Sequence, residues 1–303
     1  VTTARVPIGF IGLGSMGGPM ATRLAQAGWP ISVFDTDADA IDRVESQGAR
    51  RAASAREVGD RAEIVFCCLP APAISEQVAG ELRGSAACAV LVEMSTVGRD
   101  ALRRIAQAAG ERIELLDCPI SGGRPRALEG KLTAIVAGPA ALVERVRPCL
   151  GIVASQLFVV GPEAGQAQVC KIANNAISIT GMVVACEAVV MGVKAGLDPA
   201  VMIDVINAST GRNSATVDKF PRAILPRSFD YGGPISIGSK DLGLYIEEAR
   251  AQQVSALAVS NAAQLWSLAA DRFGDKADMT MFIRLLEQWA GLGEDGRPAR
   301  PAE

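Results

Sequence analysis

Ile8-Gly9-Phe10-Ile11 is a short apolar run that ends in Gly12-Leu13-Gly14-Ser15-Met16-Gly17 and passes directly into a helical pattern over Met16–Ala27. Glycines at this spacing, between a buried strand and a helix, leave few folds open. The first permits a tight turn, the second lets backbone approach a ligand, and the third lets helix and strand pack closely. The free N–H groups and positive dipole end of the helix then favour a phosphate. A second apolar run, Ile31–Phe34, ends at Asp35, placing an acidic residue at the end of the next strand, roughly twenty residues on. A carboxylate there can accept hydrogen bonds from ribose hydroxyls.

The pattern continues through the first half of the chain. Ile64–Leu69, Ala89–Met94, Glu114–Asp117, Leu132–Ala137 and Leu157–Val160 read as further strands, with helical segments such as Arg99–Ala109 and Ala140–Cys149 between most of them. Alternation of this kind predicts a parallel sheet wrapped by helices. The expected unit over residues 1–163 is therefore an α/β Rossmann domain. Its cofactor contacts are Gly12, Leu13, Gly14, Ser15, Met16, Gly17 and Asp35, joined by the strand-end residues Leu69, Pro70 and Thr96. A 2′-phosphate would meet the Asp35 carboxylate with no arginine directly beside it, so NAD is expected over NADP. Beyond Gly161 the strand signals stop. Residues 164–196 read as one long interdomain helix, and Pro199–Ser209, Lys240–Gln253 and Ser255–Ala270 as further helices. An all-α domain over 164–303 follows, with a loosely held tail at Gly291–Glu303.

Composition narrows the function classes. A net charge of −3 and a pI near 5.3 give no electrostatic footprint for nucleic acid or a membrane surface. The longest apolar stretch, Ile172–Val193, is interrupted by Asn174, Asn175, Ser178, Thr180 and Glu187, which suits a buried helix better than a membrane span. None of the seven cysteines forms a C-x-x-C pair and there is no histidine, so no metal site is expected. Reduced thiols in apolar runs point to the cytoplasm.

The missing histidine has a chemical consequence. Dehydrogenation of an alcohol needs a group that takes the hydroxyl proton as hydride leaves carbon, and imidazole is not available. Lys171 and Asn175 lie four residues apart on the long helix, hence on one face, and Ser178 continues that face. A lysine with an ordinary pKa of about 10.4 is mostly protonated at neutral pH, so a basic role needs burial or a neighbouring positive charge.

Four segments together carry a resemblance to a known family. They are Gly9 through Gly17, Asp117-Cys118-Pro119-Ile120-Ser121-Gly122-Gly123, Lys171 through Asn175, and Lys240-Asp241-Leu242-Gly243. The chain resembles the β-hydroxyacid dehydrogenases, which include 3-hydroxyisobutyrate dehydrogenases and tartronate semialdehyde reductases. The resemblance implies NAD-dependent interconversion of a short 3-hydroxy acid and its semialdehyde. It makes Lys171 the general acid/base, with Asn175 beside it, and assigns the substrate carboxylate to Ser121, Gly122 and Gly123. Lys240 would approach the cofactor or substrate, and Asp241 would order the closed cleft. It also implies a homodimer or homotetramer.

Two departures stand out. Gly161 through Ala167 carries an extra residue against the family's G-x-x-G-x-G approach to the lysine, with Ala167 at the last glycine's place. Arg124-Pro125-Arg126 is more basic than in most members, and could bind a second anionic group or form an exposed rim. The alternatives are an imine reductase of the same architecture, whose members generally lack the lysine, and a silent NAD-binding scaffold.

Overall fold

Successive residues in the first half point to opposite sides of a sheet, and both sides are apolar. That is the condition for a sheet covered on both faces. The computed structural model describes residues 5–298, and the chain divides into two compact units, Val1–Lys171 and Ile172–Glu303.

The first unit runs β1 (Ile8–Ile11), α1 (Gly17–Gln26), β2 (Ile31–Phe34), α2 (Ala38–Glu45), β3 (Arg50–Arg51), α3 (Ala55–Arg61), β4 (Ile64–Cys67), α4 (Pro72–Leu82) and β5 (Val90–Glu93). It continues with α5 (Arg99–Ala109), β6 (Glu114–Asp117), β7 (Ile120–Ser121), α6 (Gly123–Glu129), β8 (Leu132–Ala137), α7 (Ala140–Val153) and β9 (Ala154–Gly161). Phe10, Val33, Phe66 and Val92 pack on one face with Met20, Leu24, Ile41 and Val146. Their strand neighbours Ile11, Val65 and Leu91 pack on the other with Val58, Leu82, Leu102 and Ile105. The strand order is β3-β2-β1-β4-β5-β6-β8-β7, with β9 on β8.

The sheet departs from the expected parallel arrangement at one end. The strands from β3 to β6 are parallel, but β8 runs antiparallel to both β6 and β7. After Asp117 the chain makes the short strand Ile120–Ser121 and only the two-turn α6, so no full crossover helix separates β6 from β8. A parallel neighbour needs a longer connection.

Helix α8 (Gln166–Lys194) begins in the first unit and continues into the second. The second unit adds α9 (Pro199–Ala208), a π-helix over Ala215–Ile224, α10 (Ile235–Ala251), α11 (Leu257–Phe273) and α12 (Phe282–Trp289). Its core gathers Met182, Val183, Cys186 and Val189 with Phe220, Leu242, Trp266 and Phe282. Trp266 is fully buried, stacks on Phe282 at 5.0 Å, and donates its indole N–H to the Ile235 carbonyl at 2.9 Å. Helix α10 therefore starts five residues before the expected Lys240, because its first turn is held against Trp266. Gly291–Pro298 is not loose either. Arg227 and Arg284 donate to the carbonyls of Gly293 and Glu294, and Leu292 bridges Pro298; residues 299–303 lie outside the described chain.

Gly238 is what allows α10 to approach Trp266, since a Cβ there would lie 2.5 Å from the indole. Gly238→Ala is expected to destabilise the helical unit by about 1–3 kcal/mol, the usual cost of overpacking a rigid core. Urea unfolding followed by tryptophan fluorescence checks this, and an unchanged midpoint would show that the indole has room to move.

Candidate active site

The parallel strands end in register. Phe34, Ile11, Cys67, Glu93 and Asp117 form one row across β2, β1, β4, β5 and β6. Everything that follows them by one to four residues is thereby brought to a single edge of the sheet. Gly12 through Gly17, Asp35, Leu69, Pro70 and Thr96 all lie there, and the Ser121-Gly122-Gly123 turn follows β7 nearby in the chain. The chain order reverses between β1 and β4, where open α/β sheets form their ligand crevice.

The glycine loop fits a dinucleotide. Gly12 has φ +90°, and a Cβ there would lie 2.3 Å from the Cys68 carbonyl oxygen. A Cβ on Gly17 would lie 1.8 Å from the Gly12 carbonyl, so this glycine is required for α1 to leave the strand where it does. Gly14 faces open space, with nothing within 4 Å of where a Cβ would stand. Helix α1 has no side-chain cap and no acidic residue in its first turn, so nothing of its own competes for a phosphate at its positive end. Asp35 accepts from the Leu13 N–H at 2.5 Å and from the Asp37 N–H at 2.9 Å. Its carboxylate thus ties the glycine loop to the end of β2 and remains half-buried beside it.

The strand-end loops are tied to one another. The Leu69 N–H donates to the Ser95 hydroxyl at 2.8 Å, and the Ser95 N–H donates to Glu93 at 2.8 Å. Beyond them lies the start of α8. Asp117, fully buried at the end of β6, accepts from the backbone N–H groups of Gly165, Ala167 and Gln168 at 2.7, 3.1 and 3.2 Å. It caps the helix from 48 residues away in sequence. Its other oxygen accepts from the Gln168 amide at 2.9 Å. Lys171, 7% exposed, lies one turn further on. Ala167, at the place of the family's last glycine, is fully buried among Ile135 and Ala137 and still gives its N–H to Asp117. The approach to Lys171 is therefore intact despite the altered motif.

Sequence reasoning passed over Gln168 and Glu93, and quoted Asp117 without a role. The only signal available was an acidic residue closing each of two otherwise apolar strands, Val90–Glu93 and Glu114–Asp117. Burial pushes the Glu93 carboxyl up to about 7, opposed by hydrogen bonds from Ser95 and reinforced by the Asp117 charge. Burial also raises Asp117, against its hydrogen bonds from Gln168, Gly165 and Ala167.

A second group assembles in the helical unit. Asn175 donates to Asp241 at 2.6 Å, and Lys240 pairs with the same carboxylate at 2.9 Å. Asp241 is 2% exposed, so it links the α8 amide to the α10 lysine out of reach of solvent. One turn along α8, Ser178 bonds Ser214 at 2.7 Å, which brings the Thr210–Ser214 loop to the Asn175 face of the helix. Arg124 and Arg126 are exposed on α6, with the Arg126 stem lying over Gly122.

Residues 7–161 match the model described as the NAD binding domain of 6-phosphogluconate dehydrogenase. Residues 165–286 match that described as the NAD-binding domain of NADP-dependent 3-hydroxyisobutyrate dehydrogenase. The chain belongs to the β-hydroxyacid dehydrogenase family. It is 38% identical to 3-hydroxyisobutyrate dehydrogenase of Pseudomonas aeruginosa over 86% of this chain and 91% of that one. It is 33% identical to 2-(hydroxymethyl)glutarate dehydrogenase of Eubacterium barkeri over 96% and 98%. Among solved structures, 3-hydroxyisobutyrate dehydrogenase of Mycobacterium tuberculosis with L-serine superimposes with a TM-score of 0.82 at 27% identity, covering 93% and 99%. Imine reductases of this fold are more distant, at 17% to 20% identity.

Glu93 gives the family fold here a pH-dependent stability. Its pKa rises from 4.5 to about 7 on folding, so between those values the folded chain keeps a proton that the unfolded chain has lost. Stability therefore falls as pH rises through that window. Glu93→Gln is expected to flatten that fall and to be the more stable protein at pH 8, by on the order of 1–3 kcal/mol. Urea midpoints at pH 5 and pH 8 decide it; parallel pH dependence in variant and parent would refute it.

Proposed function

We propose that the protein is an NAD-dependent enzyme that interconverts a short 3-hydroxy acid and its semialdehyde, with Lys171 as general acid/base. The observation that carries this reading is the burial of Lys171 one turn beyond a helix start fastened to the strand-end loops of the nucleotide-binding edge. Bound NAD supplies the hydride acceptor. Ser121, with the N–H groups of Gly122 and Gly123, holds the substrate carboxylate. Lys171 takes the hydroxyl proton in oxidation and returns it to the carbonyl oxygen in reduction. Asn175 orients that oxygen, and its own amide is fixed by Asp241, which also fixes Lys240 toward substrate or cofactor. Asp35 favours NAD over NADP, because a carboxylate at the end of β2 repels a 2′-phosphate. In this reading the cofactor domain spans residues 1–163, and residues 164–303 form the substrate and oligomerisation domain of a cytoplasmic enzyme.

Lys171→Ala is expected to lower kcat by about 10²–10⁴-fold, the usual contribution of a positioned acid/base group. NAD binding should persist. Reduced nicotinamide absorbance, with 3-hydroxyisobutyrate, glycerate, threonate and 2-(hydroxymethyl)glutarate as substrates, measures it. Retained turnover with all four would remove the lysine from the mechanism, and no turnover with the parent protein would favour a silent scaffold.

The same reading includes a homo-oligomer. Ile177, Val184 and Met191 recur every seventh residue along α8 and are 76%, 57% and 63% exposed, while Val183, Cys186 and Val190 on the opposite side are core. Leu197, Val201 and Val205 extend the exposed apolar surface onto α9. A stripe of this length stays in water only at considerable cost, and a second copy of the chain covers it in this proposal. Val184→Glu is expected to shift the sedimentation coefficient toward that of a monomer; a parent protein that sediments as a monomer would end the idea.

A further inference from the structure

We propose that Gln168 is a positioning residue for Lys171, joining the Ser95–Gly98 loop at the end of β5 to the turn of α8 that carries the lysine. The inference rests on the role assigned to Lys171 above and goes beyond it in naming what sets the amine's place.

The geometry is unusually complete. Gln168 is fully buried. Its amide nitrogen donates to the Ser95 carbonyl at 3.1 Å and to Asp117 at 2.9 Å. Its amide oxygen accepts from the N–H groups of Val97 and Gly98 at 2.9 and 3.1 Å. Two donors and two acceptor positions are all that a glutamine amide possesses, and all are used. The flipped amide would set NH₂ against two N–H groups and oxygen against a carbonyl and a carboxylate, so only one orientation is compatible with the surroundings. Asp117 alone caps three N–H groups of α8, which is ample for stability. The glutamine adds something a cap does not need: a rigid tie to the loop that contains Thr96.

That loop is itself fastened on its other side, through the Ser95 hydroxyl, to the Leu69 N–H. One side chain therefore fixes both the edge expected to hold the nicotinamide half of NAD and the helical turn of the lysine. Lys171 follows Gln168 by three residues, about 4.5 Å along the axis at the helical rise. A small shift of this turn moves the amine relative to the loop directly. Misplacement of a reacting group by about 1 Å can cost roughly 10²-fold in rate.

The test uses Gln168→Leu and the milder Gln168→Asn, whose amide is one methylene too short to reach the loop. In the folded variants kcat is expected to fall about 10–10²-fold while KM for the hydroxy acid changes by less than about threefold. Independently of turnover, reductive ¹³C-methylation of the apo-protein gives an NMR titration for each lysine, with Lys171→Arg assigning the signal. The Lys171 titration should be displaced in both variants and the other lysines' titrations unmoved. In the parent protein, added NAD⁺ should slow amide hydrogen exchange in 95–98 and 165–171 together, and in Gln168→Asn only in 95–98. This exchange measurement on the parent stands even if Gln168→Leu does not fold. An unmoved Lys171 titration with unchanged kcat, or unlinked protection in the parent, overturns the proposal. Failure of the lysine's own role shows differently, as turnover retained by Lys171→Ala while the linked protection persists.

Discussion

The Asp117 carboxylate is the contact on which the placement of α8 depends. A helix leaves its first N–H groups without partners, and burying them unpaired is costly. The sequence before α8 supplies no serine, threonine or aspartate next to the first turn. The partner comes from the end of β6 instead, and it binds three of those N–H groups with one oxygen. Taking a carboxylate out of water is expensive, and the raised Asp117 pKa records that cost. The hydrogen bonds and the positive end of the helix offset it. The outcome is a long helix whose origin is fixed to the row of strand ends rather than to a loop.

That row is a single device. Because the parallel strands stop in register, a glycine loop, a ribose-binding carboxylate and two later loops come to one edge without any of them being adjacent in sequence. Asp35 shows how economical the arrangement is. Its carboxylate draws in the Leu13 N–H, so the residue expected to receive the ribose also sets the turn that receives the phosphates. Ser95 does the same between β4 and β5, accepting from Leu69 with its hydroxyl while its carbonyl receives Gln168. Rigid loops at a ligand edge cost less to order on binding than mobile ones, which is the physical value of these ties.

The parts legible in the sequence were those with a local signature. Apolar runs of fixed length mark β1, β2, β6 and β8, and α5 over Arg99–Ala109 is legible to the residue. The glycine spacing and Asp35 announce the nucleotide edge because each glycine answers a local steric demand. What stayed hidden depends on partners far away in the chain. Nothing around Gln168 says that its amide will meet Ser95, Val97 and Gly98, more than seventy residues earlier for the last two. The antiparallel β8 was hidden because α6 and β7 are too short to leave a periodic pattern. The π-helix over Ala215–Ile224 was hidden because Pro221 reads as a breaker, and a proline does remove a donor from an α-helical ladder. The Asn175–Asp241 bond falls between these cases: the spacing puts Asn175 on the lysine's face, but only the fold supplies its partner.

Glu93 and Asp117 pose the hardest electrostatic question in the molecule, since they are register partners on adjacent strands and both are fully buried. Two ionised carboxylates in that position would repel strongly in a poorly polarisable surrounding. The structure resolves this by unequal solvation. Asp117 receives four N–H donors from the start of α8 and from Gln168, whereas Glu93 receives the single backbone N–H of Ser95. The proton that the pair retains near neutral pH therefore resides mainly on Glu93, whose pKa stands at about 7. One negative charge, not two, then faces the helix start, and that charge is matched to the groups that need it. The asymmetry follows from the helix itself: the acid that caps α8 is the acid that stays ionised, so the link that positions Lys171 and the neutrality of its neighbour have one cause.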